Sequence, residues 1–340
     1  MKTTCKFALL WFSSFCFLAS LSGAEAKFNS SEHWIKRSQQ QNLERFQVKA
    51  YAQLASIHKC HFKQWDYRGS IYILSFDKKS KQPMDILHAM GLKVLPILAE
   101  ALSDESPSQT VTNVRRSRKR VWKVNELVAR LIRRLADREF VIGEWGEEVS
   151  LSSIGQHPEL APAFQKLVRD WYTKNKGRSV EERKISDLQS NLCNRLDAMM
   201  WLGKHKSTKA VPSIVARIEK ILGDKTVSSS THSELAEASL SLGRIGAPSA
   251  LSAVRKACEH LSYWQGRSST GSHQEVTLFT AYHGMALLGK KQQALAELRR
   301  LLREYGKKME DHSRKEYEKL LDNAKGWGET PSYKKLRRTR

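Results

Sequence analysis

Ala198-Met-Met-Trp-Leu-Gly203, Ala238-Ser-Leu-Ser-Leu-Gly243 and Gly284-Met-Ala-Leu-Leu-Gly289 repeat one pattern. Each ends an apolar run of helical period in Leu-Gly, and each is followed by a second amphipathic run. The closing glycines are 40 and 46 residues apart, the period of stacked helical hairpins. A hairpin of that size cannot bury its apolar face alone, so successive copies are expected to stack. The pattern predicts an all-α fold built as an α-solenoid.

Working outward, the first pair begins near Ser186, with Leu188, Leu192, Leu196, Met199 and Met200 on one helical face. Gly203 is read as its stop and Pro212 as the next start, where the missing N–H costs nothing. Val211, Ile214, Val215, Ile218, Ile221 and Leu222 line the partner helix. The second pair opens with Thr231-His-Ser-Glu234, read as a capping box. Leu235, Ala238 and Leu242 line its first helix, and Gly243 with Gly246 makes the turn. Pro248 restarts the chain, and Leu251, Val254, Cys258 and Leu261 line the second helix. In the third pair Val276, Phe279, Tyr282 and Met285 face Leu295, Leu298, Leu301 and Leu302, and residues 313–325 form a closing helix.

Leu202-Gly203 with Ala210-Val-Pro-Ser-Ile214, and Leu242-Gly243 with Gly246-Ala-Pro248, resemble the HEAT-repeat family, particularly its short bacterial form. The third unit departs, having Gln292-Gln-Ala-Leu295 without a proline. The resemblance covers about residues 185–305. It implies a right-handed α-solenoid of helical hairpins and a binding or scaffolding role, and it carries over no catalytic residue. The expected organisation is a signal peptide at 1–26, an irregular helical region with degenerate repeats at 27–184, HEAT-like repeats at 185–325 and a basic tail at 326–340. Within the irregular region, residues 33–58 read as one long helix. Residues 83–102 read as a degenerate repeat, 121–140 as a strong helix and 143–158 as a loop. Leu160, Phe164, Leu167, Val168 and Trp171 mark a further helix. Ile71-Tyr-Ile-Leu-Ser-Phe76 reads equally as a short strand or a buried helix.

At the N-terminus, Lys2 and Lys6 precede an apolar run over residues 7–21, followed by Ala24-Glu25-Ala26. The run is shorter than the roughly 20 residues of a spanning helix. Charge, short apolar core and small-x-small exit describe a secretory signal cut after Ala26, which sends the chain to a periplasm or outside the cell. The competing reading is an uncleaved anchor. Removing residues 1–26 leaves Cys60, Cys193 and Cys258, an odd number that excludes a complete disulfide framework. Cys193 and Cys258 fall on apolar stripes and are read as small core residues. Asn29-Ser-Ser31 is a glycosylation sequon if the source is eukaryotic.

The chain has 58 Lys and Arg against 35 Asp and Glu, a net charge of +23. Such an excess attracts polyanions without specifying a fold. In an exported protein those are acidic proteins, cell-wall polymers, lipopolysaccharide phosphates, anionic lipids or acidic polysaccharides. Arg115-Arg116-Ser117-Arg118-Lys119-Arg120 is the densest positive run, placed between a loop at 106–113 and the helix carrying Arg130, Arg133 and Arg134. It is either an arginine clamp for phosphate or sulfate or a solvated basic loop, and these eight cations are the candidate binding residues. Trp122, Trp171, Trp201 and Trp264 are read mainly as packing, with stacking on sugars, bases or arginine as the alternative. His58, Cys60 and His61 lack a fourth ligand at metal spacing, so no metal is assigned. No cofactor or catalytic motif is found, which favours a non-enzymatic scaffold engaging an acidic protein or an envelope polyanion. The alternative is a nucleic-acid-binding protein such as a HEAT-like DNA glycosylase, which export disfavours; a phycobilisome-lyase-like protein shares only the repeat pattern.

Overall fold

The computed structural model describes residues 30–59, 82–114, 118–143, 148–224, 228–265, 273–306 and 311–327. The signal segment, Ile71–Phe76, Cys60, His61, Arg115, Arg116 and the basic tail from residue 328 lie outside them. The chain is mostly helical, as the periodicity predicts, with two small two-stranded sheets among the described residues, and it divides into two compact units after Tyr172.

In the first unit, α1 (Ser30–Ser38) and α2 (Arg45–Ser56) replace the single helix expected over residues 33–58. Asn42 breaks it with left-handed backbone, and Gln47 then accepts the Glu44 N–H at 2.8 Å to restart the chain. α3 (Pro83–Ala89) and α4 (Leu95–Glu100) follow, each with proline in its first turn. The segment at 106–113, read as a loop, is instead part of β1 (Pro107–Val114), which pairs antiparallel with β2 (Arg118–Lys123). The helix expected from 121 therefore starts three residues later, as α5 (Val124–Ala136). Leu127, Val128, Leu131 and Ile132 of α5 are fully buried against α3 and α4. β3 (Val141–Ile142), just before the segment read as a loop, pairs with β4 (Val149–Ser150) inside it, ahead of α6 (Ala161–Asn175). Phe164, Val168 and Trp171 are buried on α6, at the spacing expected.

The second unit comprises α7 (Val180–Asp187), α8 (Leu192–Lys204), α9 (Val211–Gly223), α10 (Ser229–Ile245), α11 (Leu251–Gln265), α12 (His273–Met285), α13 (Lys291–Tyr305) and α14 (Asp311–Ala324). α10 lies between α8 and α12, α9 packs on α11, and α13 and α14 pack on α12. The helix expected from Ser186 is two: Asn191 caps α8 by accepting the Asn194 N–H at 3.0 Å. Likewise Ser228, not Thr231, caps α10, and Glu234 lies inside the helix. Cys258 is buried and Cys193 exposed, so only the first is the core residue expected. Val276 is exposed as well, off the apolar face assigned to it.

The repeated glycines have a different job from the one read in sequence. Gly203 and Gly243 lie within α8 and α10 and do not end them. A Cβ on Gly203 would stand 2.8 Å from the Ser241 Cα, and one on Gly243 2.5 Å from the Gly284 carbonyl oxygen. A Cβ on Gly284 would overlap the Ser239 carbonyl. The glycines let backbones touch, and the Ser241 hydroxyl donates to the Met199 carbonyl at 2.7 Å across the α8–α10 seam. The chain turns instead at Lys206, Gly246 and Gly289, all left-handed. After Lys206 and Gly246 the same 3-10 turn follows, at Thr208–Ala210 and Pro248–Ala250, 40 residues apart. Gly289 is thus the partner of Gly246 rather than of Gly243.

Candidate functional site

The basic run is carried on a hairpin rooted in the core of the first unit. Asp104 organises the root. Its carboxylate accepts from the buried Trp34 indole at 3.0 Å and from the Ser106 N–H at 3.0 Å, while its carbonyl accepts from the Asn125 N–H at 2.8 Å. On the far strand, Lys123 donates its N–H to Glu126 at 2.9 Å and pairs with Glu105 at 2.5 Å. Both feet are fixed by hydrogen bonds, so the strands leave the core in a set direction.

Between positions 107 and 123 the chain has Arg115, Arg116, Arg118, Lys119, Arg120 and Lys123 and no acidic residue. Val111, Thr112, Asn113 and Val114 pair with Val121, Arg120, Lys119 and Arg118 in register, so these four positions of β1 set no carboxylate opposite residues 118–121. At the end of β2 nearer α5, the Trp122 ring carries the Arg130 guanidinium of α5 at 3.9 Å from its centroid, a cation–π contact. Arg134 is exposed one turn further along α5.

The structure separates the eight sequence-predicted cations. Arg118, Lys119 and Arg120 are brought together on β2, and Arg130 and Arg134 share a face of α5. Arg115 and Arg116 fall outside the described residues. Arg133 leaves the group, because it forms an ion pair with Glu139, which also accepts from the Ser150 hydroxyl at 2.8 Å. Burial raises the Glu139 pKa, opposed by Arg133 and the Ser150 hydrogen bond, and the net shift is upward. The role of Arg133 is to neutralise a buried carboxylate.

Of the four tryptophans singled out, Trp171 packs edge-on against Phe140 with centroids 5.8 Å apart. Trp122 stacks with Arg130, Trp201 stacks on His205 at 3.9 Å, and the Trp264 side chain is outside the description. Among the described residues no group of three or more His, Cys, Asp and Glu is placed to hold a metal ion. No single helix among them is long and apolar enough to cross a membrane.

Sequence reading missed a buried charged cluster. Glu234 of α10 is 1 % exposed and accepts from Arg195 of α8 at 2.7 Å and Arg217 of α9 at 2.6 Å. Burial pushes the Glu234 carboxyl up, but hydrogen bonds and charges from the two arginines outweigh it and hold the pKa below the usual range. The signal was present: Arg195 and Arg217 interrupt apolar helical stripes, where a charge needs a partner.

Compared with known proteins, the chain matches no family model, no curated protein and no solved structure.

Proposed function

We propose that this chain is an exported, non-enzymatic α-solenoid of HEAT-like hairpins whose basic hairpin engages an acidic protein or an anionic envelope polymer. The observation that carries the reading is the acid-free hairpin with Arg118, Lys119 and Arg120 on β2, anchored at both feet and continued by the Trp122–Arg130 stack. Arginine forks suit phosphate and sulfate oxygens bidentately. A fixed frame lowers the ordering cost that a solvated loop would incur on binding. The repeated left-handed turns and 3-10 segments after Lys206 and Gly246, 40 residues apart, support the solenoid. The apolar run and Ala24-Glu25-Ala26 support export.

The test substitutes Arg118→Ser, Lys119→Ser and Arg120→Ser together and measures binding to heparin, purified lipopolysaccharide and duplex DNA. Expected is at least about a tenfold loss for the envelope-type polymers, roughly 1.4 kcal/mol, with unchanged Tm. Unaltered binding overturns the hairpin assignment. Duplex DNA bound far more tightly than the other two would replace the envelope reading with nucleic acid. The N-terminal residue, determined by mass spectrometry on protein from the producing cell, tests export separately: Lys27 supports cleavage, and Met1 in the cytoplasm overturns it.

A further inference from the structure

The second unit contains a cleft of about 450 Å³ between α11 and α13, floored by α12. On α11 the lining residues are Arg255, Cys258, Glu259, Ser262 and Tyr263, a single helical face by their spacing. On α13, Gln293, Glu297, Arg300, Leu301 and Tyr305 face them, and Tyr282 and Met285 rise from α12.

The floor is neutral and closed. Tyr282 is 3 % exposed, and its hydroxyl meets the Ser262 hydroxyl at 3.0 Å. Ser262 donates in turn to the Cys258 carbonyl at 2.8 Å, so the proton between the two hydroxyls belongs to Tyr282. Burial pushes the Tyr282 hydroxyl and the Cys258 thiol well above their usual pKa values, which removes either as an anion at neutral pH. The rim is polar and charge-balanced, with Arg255 and Arg300 against Glu259 and Glu297. Arg300 donates to Glu297 at 2.9 Å and to Glu304 at 2.7 Å, which holds its guanidinium in place. In a chain of net charge +23, this balance is local. Tyr263 stands at the rim, 51 % exposed.

We propose that this cleft is a binding site for a neutral saccharide. A sugar ring presents an apolar C–H face and a rim of adjacent hydroxyls that each donate and accept. The cleft offers tyrosine rings for the first and planar amide, guanidinium and carboxylate groups for the second. Its size falls within the range of small-ligand sites, roughly 300–1,000 Å³. A polyanion finds no net positive charge at this rim, because Glu259 and Glu297 offset Arg255 and Arg300, and a wholly apolar ligand would leave the rim's hydrogen bonds unmade. The proposal is independent of the basic hairpin.

The experiment is saturation-transfer NMR on the full mature chain with methyl α-mannoside, N-acetylglucosamine, galactose, maltose and cellobiose, followed by titration of any that respond. Expected is transfer from at least one, with Kd near or below about 1 mM. Tyr263→Ala and, separately, Gln293→Ala weaken it about tenfold; both side chains are exposed at the rim, and circular dichroism checks that the fold is kept. The hairpin variant Arg118→Ser/Lys119→Ser/Arg120→Ser binds the same sugar unchanged. Absence of transfer from all five, binding unaffected by both rim variants, or displacement of the sugar by heparin at equal site occupancy would each overturn the proposal.

Discussion

Gly284 has no room for a methyl group, because its Cβ would overlap the Ser239 carbonyl, a backbone atom that cannot rotate away. Gly284→Ala is therefore expected to cost about 2 kcal/mol or more, as overpacked cores do. Gly223, the last residue of α9, has open space around it, and Gly223→Ala is expected to stabilise by about 0.5 kcal/mol through helix propensity. Urea titrations of the two variants read the contrast, and equal effects would refute the role in close approach. His283 makes the second residue-scale prediction. It is buried and stacked on Trp327 with rings 5.0 Å apart and 7° from parallel. Burial, then the nearby Arg244, lowers its pKa from 6.5 to about 4. The folded value lies below the unfolded one, so the unfolded chain binds the proton first. The neutral imidazole's contribution is complete above pH 6.5 and is lost as pH falls towards 4, up to about 3 kcal/mol. His232 and His260, also lowered chiefly by burial, act in the same direction. Denaturation midpoints between pH 7 and pH 4 measure the slope, and His283→Phe, which keeps a ring against Trp327, should flatten it.

Three helices meet at Glu234, and their packing depends on a charge that none of them can neutralise alone. Glu234→Gln leaves Arg195 and Arg217 facing a neutral amide in the interior, an expected loss of about 3 kcal/mol. Replacing all three with Leu at 234 and Met at 195 and 217 should recover most of it, because the apolar triple has no buried charge to solvate. If the triple is as unstable as the single variant, the cluster contributes geometry that an apolar core cannot copy. This cluster also marks the limit of what sequence reveals. Helices at 211–223, 291–305 and 161–175 were legible because their apolar spacing is long and regular. Glu234 reads as part of a cap because Thr231-His-Ser-Glu has the right spacing, and nothing local shows that Ser228 caps the helix instead. The strand at 107–114 was hidden for a related reason: Pro-Ser-Gln-Thr-Val-Thr-Asn-Val is too polar to show an apolar alternation, and its partner strand is mostly cationic. The candidate cations were nonetheless visible in composition. What composition cannot show is that Glu139 engages Arg133, a pairing made by the fold rather than by adjacency.

At the scale of the molecule, a net charge of +23 makes some attraction to any polyanion inevitable, so binding alone does not identify a site. Salt dependence separates the alternatives. Each cation that contacts the polymer releases counterions, so the logarithm of affinity falls linearly with the logarithm of salt, by about one in slope per contact. If Arg118, Lys119 and Arg120 make direct contacts, substituting all three should make the heparin slope shallower by about 3. If attraction is instead spread over the surface, the same variant shifts the affinity slightly and leaves the slope almost unchanged, because three charges are a small part of the 58 Lys and Arg. The saccharide cleft supplies an internal control, since a neutral ligand releases no counterions. Its affinity should stay flat as salt rises from about 0.05 to about 0.2 M, while heparin affinity falls by orders of magnitude. A sugar affinity that falls with salt alongside heparin would mean that charge takes part in holding the ligand, and would overturn the reading of the cleft as a site for a neutral one.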